Sequence, residues 1–337
     1  MRAAIYHGPG SGIEVQHIAE PVPETGELLV EVGFCGICGS DMSLTSGSSF
    51  DYPTGQCFGH EYSGTVVEKG AGVTGWRIGD TVACMPKSGC GRCEPCREGR
   101  LLLCVNGKSL GSGFSEFVAV PTQAAVRLPQ TLSLADGALI EPMACGLRAL
   151  HSAGMKGGER VLVLGAGTMA LSVIWWARRL GAASIVVASR SAQRRDICMT
   201  FGADALHSFD EDDPATLHTA LGGPPNFVAE CVGKEGMLNL ALDHVRVGGT
   251  VICMGMCVKP EAVLPIRLTF KEAKLTFPLA YSAEEFEETA RAFDQTGFNP
   301  AVMVNDVIPL ERLGVVLESM RTGTPATKVH VDPRMHV

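Results

Sequence analysis

An apolar strand that runs directly into a glycine turn and a helix constrains this 337-residue chain more than any other feature. The stretch VLVLGAGTMA has the spacing G-x-G-x-x-A, with Gly165, Gly167 and Ala170 at the three fixed places and Thr168 and Met169 between them. The first glycine permits a tight turn, the second lets a pyrophosphate approach the backbone, and the small third residue packs helix on strand. Because a helix N-terminus attracts anions, the stretch predicts a dinucleotide site.

Strand and helix patterns alternate from about residue 142 to about residue 256, which favours a doubly wound parallel sheet. Residues before about 140 instead form short strand patterns between glycine and proline turns, as in 25–35 and 61–68. The predicted fold class is therefore α/β with a second, strand-rich domain. We expect residues 151–282 to be inserted into a domain formed by 1–150 and 283–337.

The end of the second strand of the inserted domain indicates which dinucleotide binds. An NAD site usually carries an acidic residue about twenty positions after the glycines, where it bonds the ribose 2′-hydroxyl. This chain has Ser189 and Arg190 there, and a hydroxyl with a guanidinium suits a 2′-phosphate. We expect NADP(H) to be preferred over NAD(H). Arg194 either stacks on the adenine or lies in solvent.

The stretch CGRCEPCREGRLLLC holds four of the thirteen cysteines, in the spacing C-x2-C-x2-C-x7-C. Thirteen is an odd number, and we expect a reducing compartment, so a disulfide framework is disfavoured. Four thiolates at short spacing can surround one Zn²⁺ tetrahedrally, whereas free thiols or a redox pair are the alternatives. A structural zinc lobe over 86–106 is predicted, with the ligands Cys90, Cys93, Cys96 and Cys104.

Charge and hydropathy exclude several functional classes. The net charge of −8 and the lack of a basic run argue against a nucleic-acid partner. The first residues show no apolar leader, and no stretch of 18 apolar residues follows. We therefore expect a cytoplasmic protein with no membrane partner.

A second set of potential metal ligands is spread along the first half of the chain, in GFCGICGSDMS, GHEYSG and IEPMACG. It comprises Cys38, His60, Glu61 and Glu141. Each has an ordinary alternative role: a core thiol, a hydrogen-bonded turn histidine, or a carboxylate favoured by a helix dipole. Their spacing alone does not decide between these roles.

Four motifs together resemble the zinc-dependent medium-chain alcohol dehydrogenase family. They are GICGSD from Gly36, G-H-E-x2-G-x5-G-x2-V from Gly59, the four clustered cysteines, and GAGTMA. The resemblance covers essentially the whole chain. It implies a GroES-like catalytic domain around a Rossmann domain, one structural zinc and one catalytic zinc in the cleft between the domains. It also implies a homodimer or homotetramer.

The resemblance assigns Cys38 and His60 as the first two ligands of the catalytic zinc. The third is Glu141 or Glu61, a choice that stays open, and the E-P pair is similar to the sorbitol and threonine dehydrogenase branch. An alcohol bound to such a zinc becomes more acidic, and the nicotinamide accepts its hydride. Ser40 matches the hydroxyl that passes the proton toward solvent. Ser43 stands where many relatives have a histidine, which leaves the rest of the relay open.

The predicted function is a zinc-dependent oxidoreductase that interconverts an alcohol and its ketone or aldehyde with NADP(H). A secondary, polyol-like substrate and a hydrophobic alcohol both remain candidates, and the sequence fixes neither stereochemistry nor direction. The alternative is a catalytically inactive nucleotide-binding relative that lacks the catalytic zinc. Two zinc ions per chain would favour the enzyme, and one would favour the binding protein.

Overall fold

The computed structural model describes residues 1–9, 12–47, 53–209, 214–323 and 326–336. Its contacts divide the chain into two compact units, Met1–Glu141 with Ser282–Val337, and Pro142–Tyr281. The predicted domain bounds, 1–150 with 283–337 and 151–282, stay a prediction, because contacts separate compact units and not functional domains.

The first unit is built mainly from antiparallel strands. Its strands are β1 (Arg2–Tyr6), β2 (Ile13–His17), β3 (Glu27–Gly36), β4 (Gln56–Cys57), β5 (Glu61–Lys69), β6 (Thr81–Cys84), β7 (Phe117–Pro121), β8 (Ala125–Arg127), β15 (Val304–Ile308) and β16 (Lys328–Val331). One sheet has the order β2-β1-β4, the other has the order β15-β16-β3-β5-β6-β8, and β7 pairs with β3. The predicted strands 25–35 and 61–68 correspond to β3 and β5.

Helices in this unit are few and mostly short. They are α1 (Gly39–Leu44), α2 (Glu94–Arg97), α3 (Leu134–Gly137), α10 (Ala283–Thr296) and α11 (Leu313–Arg321), and α4 (Ile140–Ala153) begins here and continues into the second unit. Most of the long strand β3 is buried, and Leu28, Val30 and Val32 are fully buried in the core. Its register against β5 brings Gly36 opposite Glu61, so the end of β3 lies beside the start of β5.

The second unit is a parallel sheet with helices between its strands. The strands are β9 (Arg160–Leu164), β10 (Ser184–Ala188), β11 (Ala205–His207), β12 (Phe227–Glu230), β13 (Thr250–Cys253) and β14 (Lys274–Thr276), in the order β11-β10-β9-β12-β13-β14. The helices are α5 (Thr168–Arg179), α6 (Arg195–Phe201), α7 (Pro214–Leu221), α8 (Met237–His244) and α9 (Pro265–Lys271). The doubly wound parallel sheet expected from the sequence is confirmed, and its neighbouring strands β9 and β12 end at the glycine turn and at Glu230.

Packing explains why the strands of this unit read as continuous apolar runs. Both faces of the sheet are covered, so Leu162, Val186 and Val228 are fully buried in one core. On α5, Trp175 and Trp176 are buried, and the Trp176 indole donates a hydrogen bond of 2.8 Å to the Met143 carbonyl.

Candidate metal centres and cofactor cavity

The four clustered cysteines come together in a loop region of the first unit. Cys90 precedes the short helix α2, Cys93 is its N-cap, Cys96 lies within it, and Cys104 follows a 3₁₀ turn over Leu101–Leu103. One sulfur atom from each lies within 4.8 Å of all the others. The Sγ atom of Cys93 is 3.4 Å from that of Cys96 and 3.7 Å from that of Cys104.

These distances fit one tetrahedral zinc. A Zn–S bond of about 2.3 Å puts two sulfurs of a tetrahedron about 3.8 Å apart. Close packing leaves no room for bulkier neighbours, since a Cβ on Gly89 would lie 2.6 Å from the Cys96 sulfur. The donor set is four thiols with no carboxylate or imidazole among them, which is the chemistry of a closed structural site.

Backbone groups prepare this cluster for anionic sulfur. Backbone N–H groups of Arg92 and Cys93 lower the pKa of the Cys90 thiol to about 6. The Cys90 N–H also lies 3.3 Å from the Cys104 sulfur, and backbone donors at Cys90 lower the pKa of Cys104. A backbone hydrogen bond at Cys96 lowers the pKa of the Cys93 thiol, but hydrogen bonds with the other thiols outweigh it and raise that pKa to about 12. Without a metal, thiolates are therefore favoured at Cys90 and Cys104 and not at Cys93, since unneutralised negative charges would repel one another at this distance.

A second group of potential ligands forms where β3, α1 and β5 meet. Cys38 is the N-cap of α1, His60 directly precedes β5, and Glu61 is the first residue of β5. One ligand atom from each lies within 4.8 Å of the other two. Strand pairing explains the proximity, because Gly36 and Glu61 are cross-strand partners and a Cβ at Gly36 would lie 2.2 Å from Glu61 Oε2.

Asp41, to which the sequence patterns assigned no role, contacts both Cys38 and His60. The Asp41 side chain is buried, and its Oδ2 accepts a 2.9 Å hydrogen bond from the Cys38 N–H, while Oδ1 is 3.3 Å from His60 Nδ1. A proton on Nδ1 leaves the Nε2 lone pair free to bind a metal, as in many carboxylate–histidine–zinc sites. Burial lowers the pKa of His60, but the charges of Asp41 and Cys38 outweigh it and hold the pKa well above its usual value.

The Glu61 side chain is fully buried, and its two carboxylate oxygens have different surroundings. Its Oε2 accepts a 2.5 Å charge-assisted bond from Lys328 Nζ, which also donates to the Ile37 carbonyl at 3.0 Å. Burial lowers the pKa of Lys328, but the charges of Glu61 and Cys38 more than offset this and raise it. Oε1 of Glu61 is buried and has no hydrogen-bond partner among the described residues. An orphaned carboxylate oxygen beside a thiol and an imidazole fits a bound cation.

Glu141 is buried in the first turn of α4 and is not part of the described group around Cys38 and His60. Its role as a ligand therefore stays a prediction. The Ser40 hydroxyl lies 3.4 Å from His60 Nε2, at the edge of the group. The exposed Ser43 hydroxyl donates to the Gly39 carbonyl at 3.3 Å, within α1.

The glycine turn of the second unit borders a cavity of about 230 Å³. Its lining combines the ends of four neighbouring strands: Gly165, Ala166, Gly167, Ser189, Arg190, Ser191, Arg194, Phe209, Cys231 and Val232. Gly165 has a φ of +104°, and a Cβ there would lie 3.0 Å from the Val232 side chain. The carboxyl ends of parallel strands are the usual place for a ligand in such a sheet.

Five of the eight predicted cofactor residues line this cavity: Gly165, Gly167, Ser189, Arg190 and Arg194. Thr168 and Met169 begin α5 beside it, and Ala170 is fully buried. Arg194 does not lie freely in solvent, because its Nη1 donates a 2.8 Å bond to the Ala166 carbonyl within the glycine turn. The other five lining residues were not predicted, although each follows the end of a strand in this sheet: Ala166, Ser191, Phe209, Cys231 and Val232.

Known protein families match residues in both units. Residues 24–130 match the family model described as the alcohol dehydrogenase GroES-like domain, and residues 166–295 match the model described as zinc-binding dehydrogenase. The (R,R)-butanediol dehydrogenase of Bacillus subtilis is 30% identical over 83% of this chain and 85% of its own. The chain belongs to the zinc-dependent medium-chain alcohol dehydrogenase family.

Two further relatives extend this result. Sheep (Ovis aries) sorbitol dehydrogenase is 28% identical over 95% of this chain and 93% of its own. A structure from Sinorhizobium meliloti 1021, described as a zinc-binding dehydrogenase bound to NADP, matches with a TM-score of 0.88 and 29% identity, over 98% of this chain and 99% of that one.

The family membership and the two-part fold expected from the motifs, GroES-like and Rossmann, are thus confirmed. The protein is a zinc-dependent oxidoreductase of the alcohol dehydrogenase type, and nothing in the comparisons supports an inactive relative. Among the described residues, no helix combines the length and the apolarity needed to cross a bilayer.

Proposed function

We propose that the protein is an NADP(H)-dependent dehydrogenase that interconverts a secondary alcohol and its ketone at a zinc held by Cys38, His60 and Glu61. The convergence of these three side chains, with Oε1 of Glu61 left without a described partner, is the observation that carries the proposal. One thiolate, one carboxylate and a neutral imidazole are a typical donor set for a catalytic zinc, which keeps a position for substrate. A second zinc would be held by the four clustered cysteines, giving two per chain.

When bound, the zinc supplies Lewis acidity toward an alcohol or carbonyl oxygen, and the nicotinamide supplies or accepts the hydride. The chain's own residues set the geometry and the charge around that chemistry. Asp41 orients the imidazole of His60, and Lys328 holds Glu61 by Oε2, which leaves Oε1 without a described hydrogen-bond partner. The Ser40 hydroxyl, near His60 Nε2, is placed to accept the substrate proton and pass it on.

The preference for NADP(H) rests on Arg190 and Ser189. Both line the cavity beside the glycine turn, and Arg190 is exposed, so its guanidinium is free to meet a 2′-phosphate. The similar structure bound to NADP is in accord with this assignment. Comparing kcat/KM for NADPH and NADH tests it, with Arg190→Asp expected to reverse the preference. An equal or better kcat/KM with NADH in the natural protein would refute it.

The substrate class follows from the relatives. Butanediol and sorbitol dehydrogenases act, by their names, on polyols, and a glutamate among the ligands is the pattern that sequence reasoning connected with that branch. We infer a secondary alcohol, polyol-like or more apolar. A panel of polyols, sugars and apolar ketones, assayed with NADP⁺ and NADPH, decides between the two classes. If the zinc-replete protein binds the cofactor but turns over no member of this panel, the enzymatic proposal is refuted.

The proton path gives a sharper test with a matched pair of variants. Ser40→Ala removes the hydroxyl near His60, whereas Ser43→Ala removes a neighbouring hydroxyl that bonds only the α1 backbone among the described contacts. We expect Ser40→Ala to lower kcat by about 10²-fold or more, as for loss of a general acid–base group. Ser43→Ala should leave kcat nearly unchanged, and the reverse ranking would contradict the role of Ser40.

A homo-oligomer is also part of the proposal, and one edge of the second unit supports it. Strand β14 ends the described sheet, and large apolar side chains near it are exposed: Phe270 by 78%, Phe277 by 67% and Leu279 by 57%. An open strand edge beside exposed apolar groups favours association. Light scattering after size exclusion measures the mass, and a monomer at micromolar concentration would contradict this part. A cytoplasmic location stays a prediction.

A further inference from the structure

Glu230 is a buried acid in the second unit that the proposed chemistry does not use. It is the last residue of β12, and its side chain is only 4% exposed. Its Oε1 accepts two backbone hydrogen bonds, from the Val232 N–H at 2.6 Å and from the Gly233 N–H at 2.9 Å. A single carboxylate oxygen therefore fixes the loop over residues 231–233 directly after the strand.

The backbone of Glu230 fixes a second loop. Its carbonyl accepts hydrogen bonds from the Met254 N–H at 2.8 Å and the Gly255 N–H at 2.9 Å, just after β13. A Cβ on Gly255 would lie 2.1 Å from the Gly233 nitrogen and 2.5 Å from Glu230 Oε2. The two loops thus touch each other and the carboxylate so closely that only glycine fits between them.

The first of these loops forms a wall of the cofactor cavity. Cys231 and Val232 line the cavity, and the Val232 side chain lies against the turn at Gly165. Backbone N–H groups in such loops are natural donors to phosphate. In this chain the N–H groups of Val232 and Gly233 already donate to Glu230. This wall of the cavity therefore presents side chains to a ligand, and not those backbone donors.

We propose that Glu230 is a positioning residue for the cofactor: it holds the 231–233 loop against the 254–256 loop and thereby sets the affinity of the cavity for the dinucleotide. The proposal rests on the proposed function, since it takes this cavity as the NADP(H) site. Removing the carboxylate leaves two N–H groups without their acceptor and releases the Val232 wall. Cofactor binding should then weaken, while turnover at saturating cofactor should change little.

The test compares Glu230→Gln and Glu230→Ala in the zinc-replete, full-length protein. Glutamine keeps a side-chain oxygen that can accept both N–H bonds, so the Kd for NADPH should stay within about threefold of the natural value. Alanine removes the acceptor, and Kd and the cofactor KM should rise by about tenfold or more, about 1.4 kcal/mol, with kcat within about threefold. NADPH fluorescence titration gives Kd, and steady-state rates separate KM from kcat.

Asp204→Ala is a control in the same unit, at a carboxylate that is more exposed than Glu230 and also pairs with Arg178 at 2.6 Å. The Asp204 carboxylate also accepts a backbone N–H bond, from Ile185 at 2.7 Å, but Ile185 lies near the start of β10 and neither residue lines the cavity. Its Kd for NADPH should equal that of the natural protein. Equal weakening in Asp204→Ala and Glu230→Ala would show a merely structural role and overturn the inference.

Two further outcomes separate the inference from the function on which it rests. If the natural protein binds neither NADPH nor NADH, the proposed function fails first. If it binds NADPH and Glu230→Ala binds equally well, only the inference fails. Should the alanine variant not fold, amide hydrogen exchange of the natural protein decides: slow exchange at Val232 and Gly233 without cofactor supports the inference, and fast exchange overturns it.

Discussion

The buried ion pair between Lys328 and Glu61 leads to a prediction about the free energy of unfolding. Lys328 and Glu61 have side-chain exposures of 1% and 0%, so Lys328→Met leaves a buried carboxylate with no cation. Breaking one half of such a pair costs about 3–5 kcal/mol, because the remaining charge stays out of water. With a urea m-value of about 2 kcal/mol/M, the unfolding midpoint should fall by about 1.5–2.5 M.

The assay is urea unfolding at pH 8, with two comparison variants. Lys108→Met breaks the pair with Glu27, which has an N–O distance of 2.8 Å, but Lys108 is 52% exposed. That variant should lose at most about 1 kcal/mol, or about 0.5 M. The double variant Lys328→Met with Glu61→Gln removes both charges and should regain most of the loss.

A midpoint for Lys328→Met within about 0.3 M of the natural protein at pH 8 would refute the reasoning, since the pair would then contribute no more than an exposed one.

Three other outcomes are expected. Asp41→Asn should weaken zinc binding at Cys38 and His60 by about 10–100-fold in chelator competition, because Asp41 supports both ligands, and an unchanged affinity would contradict that role. Cys96→Ser should lower the zinc content by one ion per chain, whereas Cys198→Ser, at a buried thiol of α6, should keep the full content; equal zinc in both would exclude the four-thiol site. Burial, together with nearby positive charge, lowers the pKa of both His244 and His218, so stability should fall as the pH drops below about 6.5. In thermal unfolding, His244→Gln should reduce the fall of Tm with falling pH. An equal dependence of Tm on pH in the variant and the natural protein would contradict this role of His244.

The sequence predicted the parts of the fold that periodicity and glycine spacing determine. The parallel strands of the second unit are apolar on both faces, and helices of ordinary length separate them. Their pattern can therefore be recognised from a single sequence. The short strands β4 and β14, of two and three residues, carry too few side chains to show any period. They exist because a longer neighbour, β1 or β13, offers its backbone groups for pairing.

The candidate site was predictable only in part, for the same reason. The four cysteines within 90–104 can be recognised as a metal site from their spacing, because a short loop can bring them around one ion. The pairing of Glu61 with Lys328 links residues 267 positions apart and depends on the order of strands β16, β3 and β5. No local pattern contains that information, and the choice between Glu61 and Glu141 stayed open in the sequence for that reason.

Asp41 and Glu230 show what kind of residue sequence patterns miss. Each is a buried carboxylate that accepts backbone N–H bonds within three residues of itself, Asp41 from Cys38 and Glu230 from Val232 and Gly233. Motifs mark the atoms expected to touch metal or cofactor, because chemistry restricts those residue types most. A residue that only holds a loop is recognised by its burial and by the donors it satisfies, and both are properties of the folded chain. Asp41 is part of the GICGSD motif, yet its effect on His60 becomes visible only when the turn after β3 brings the two side chains together.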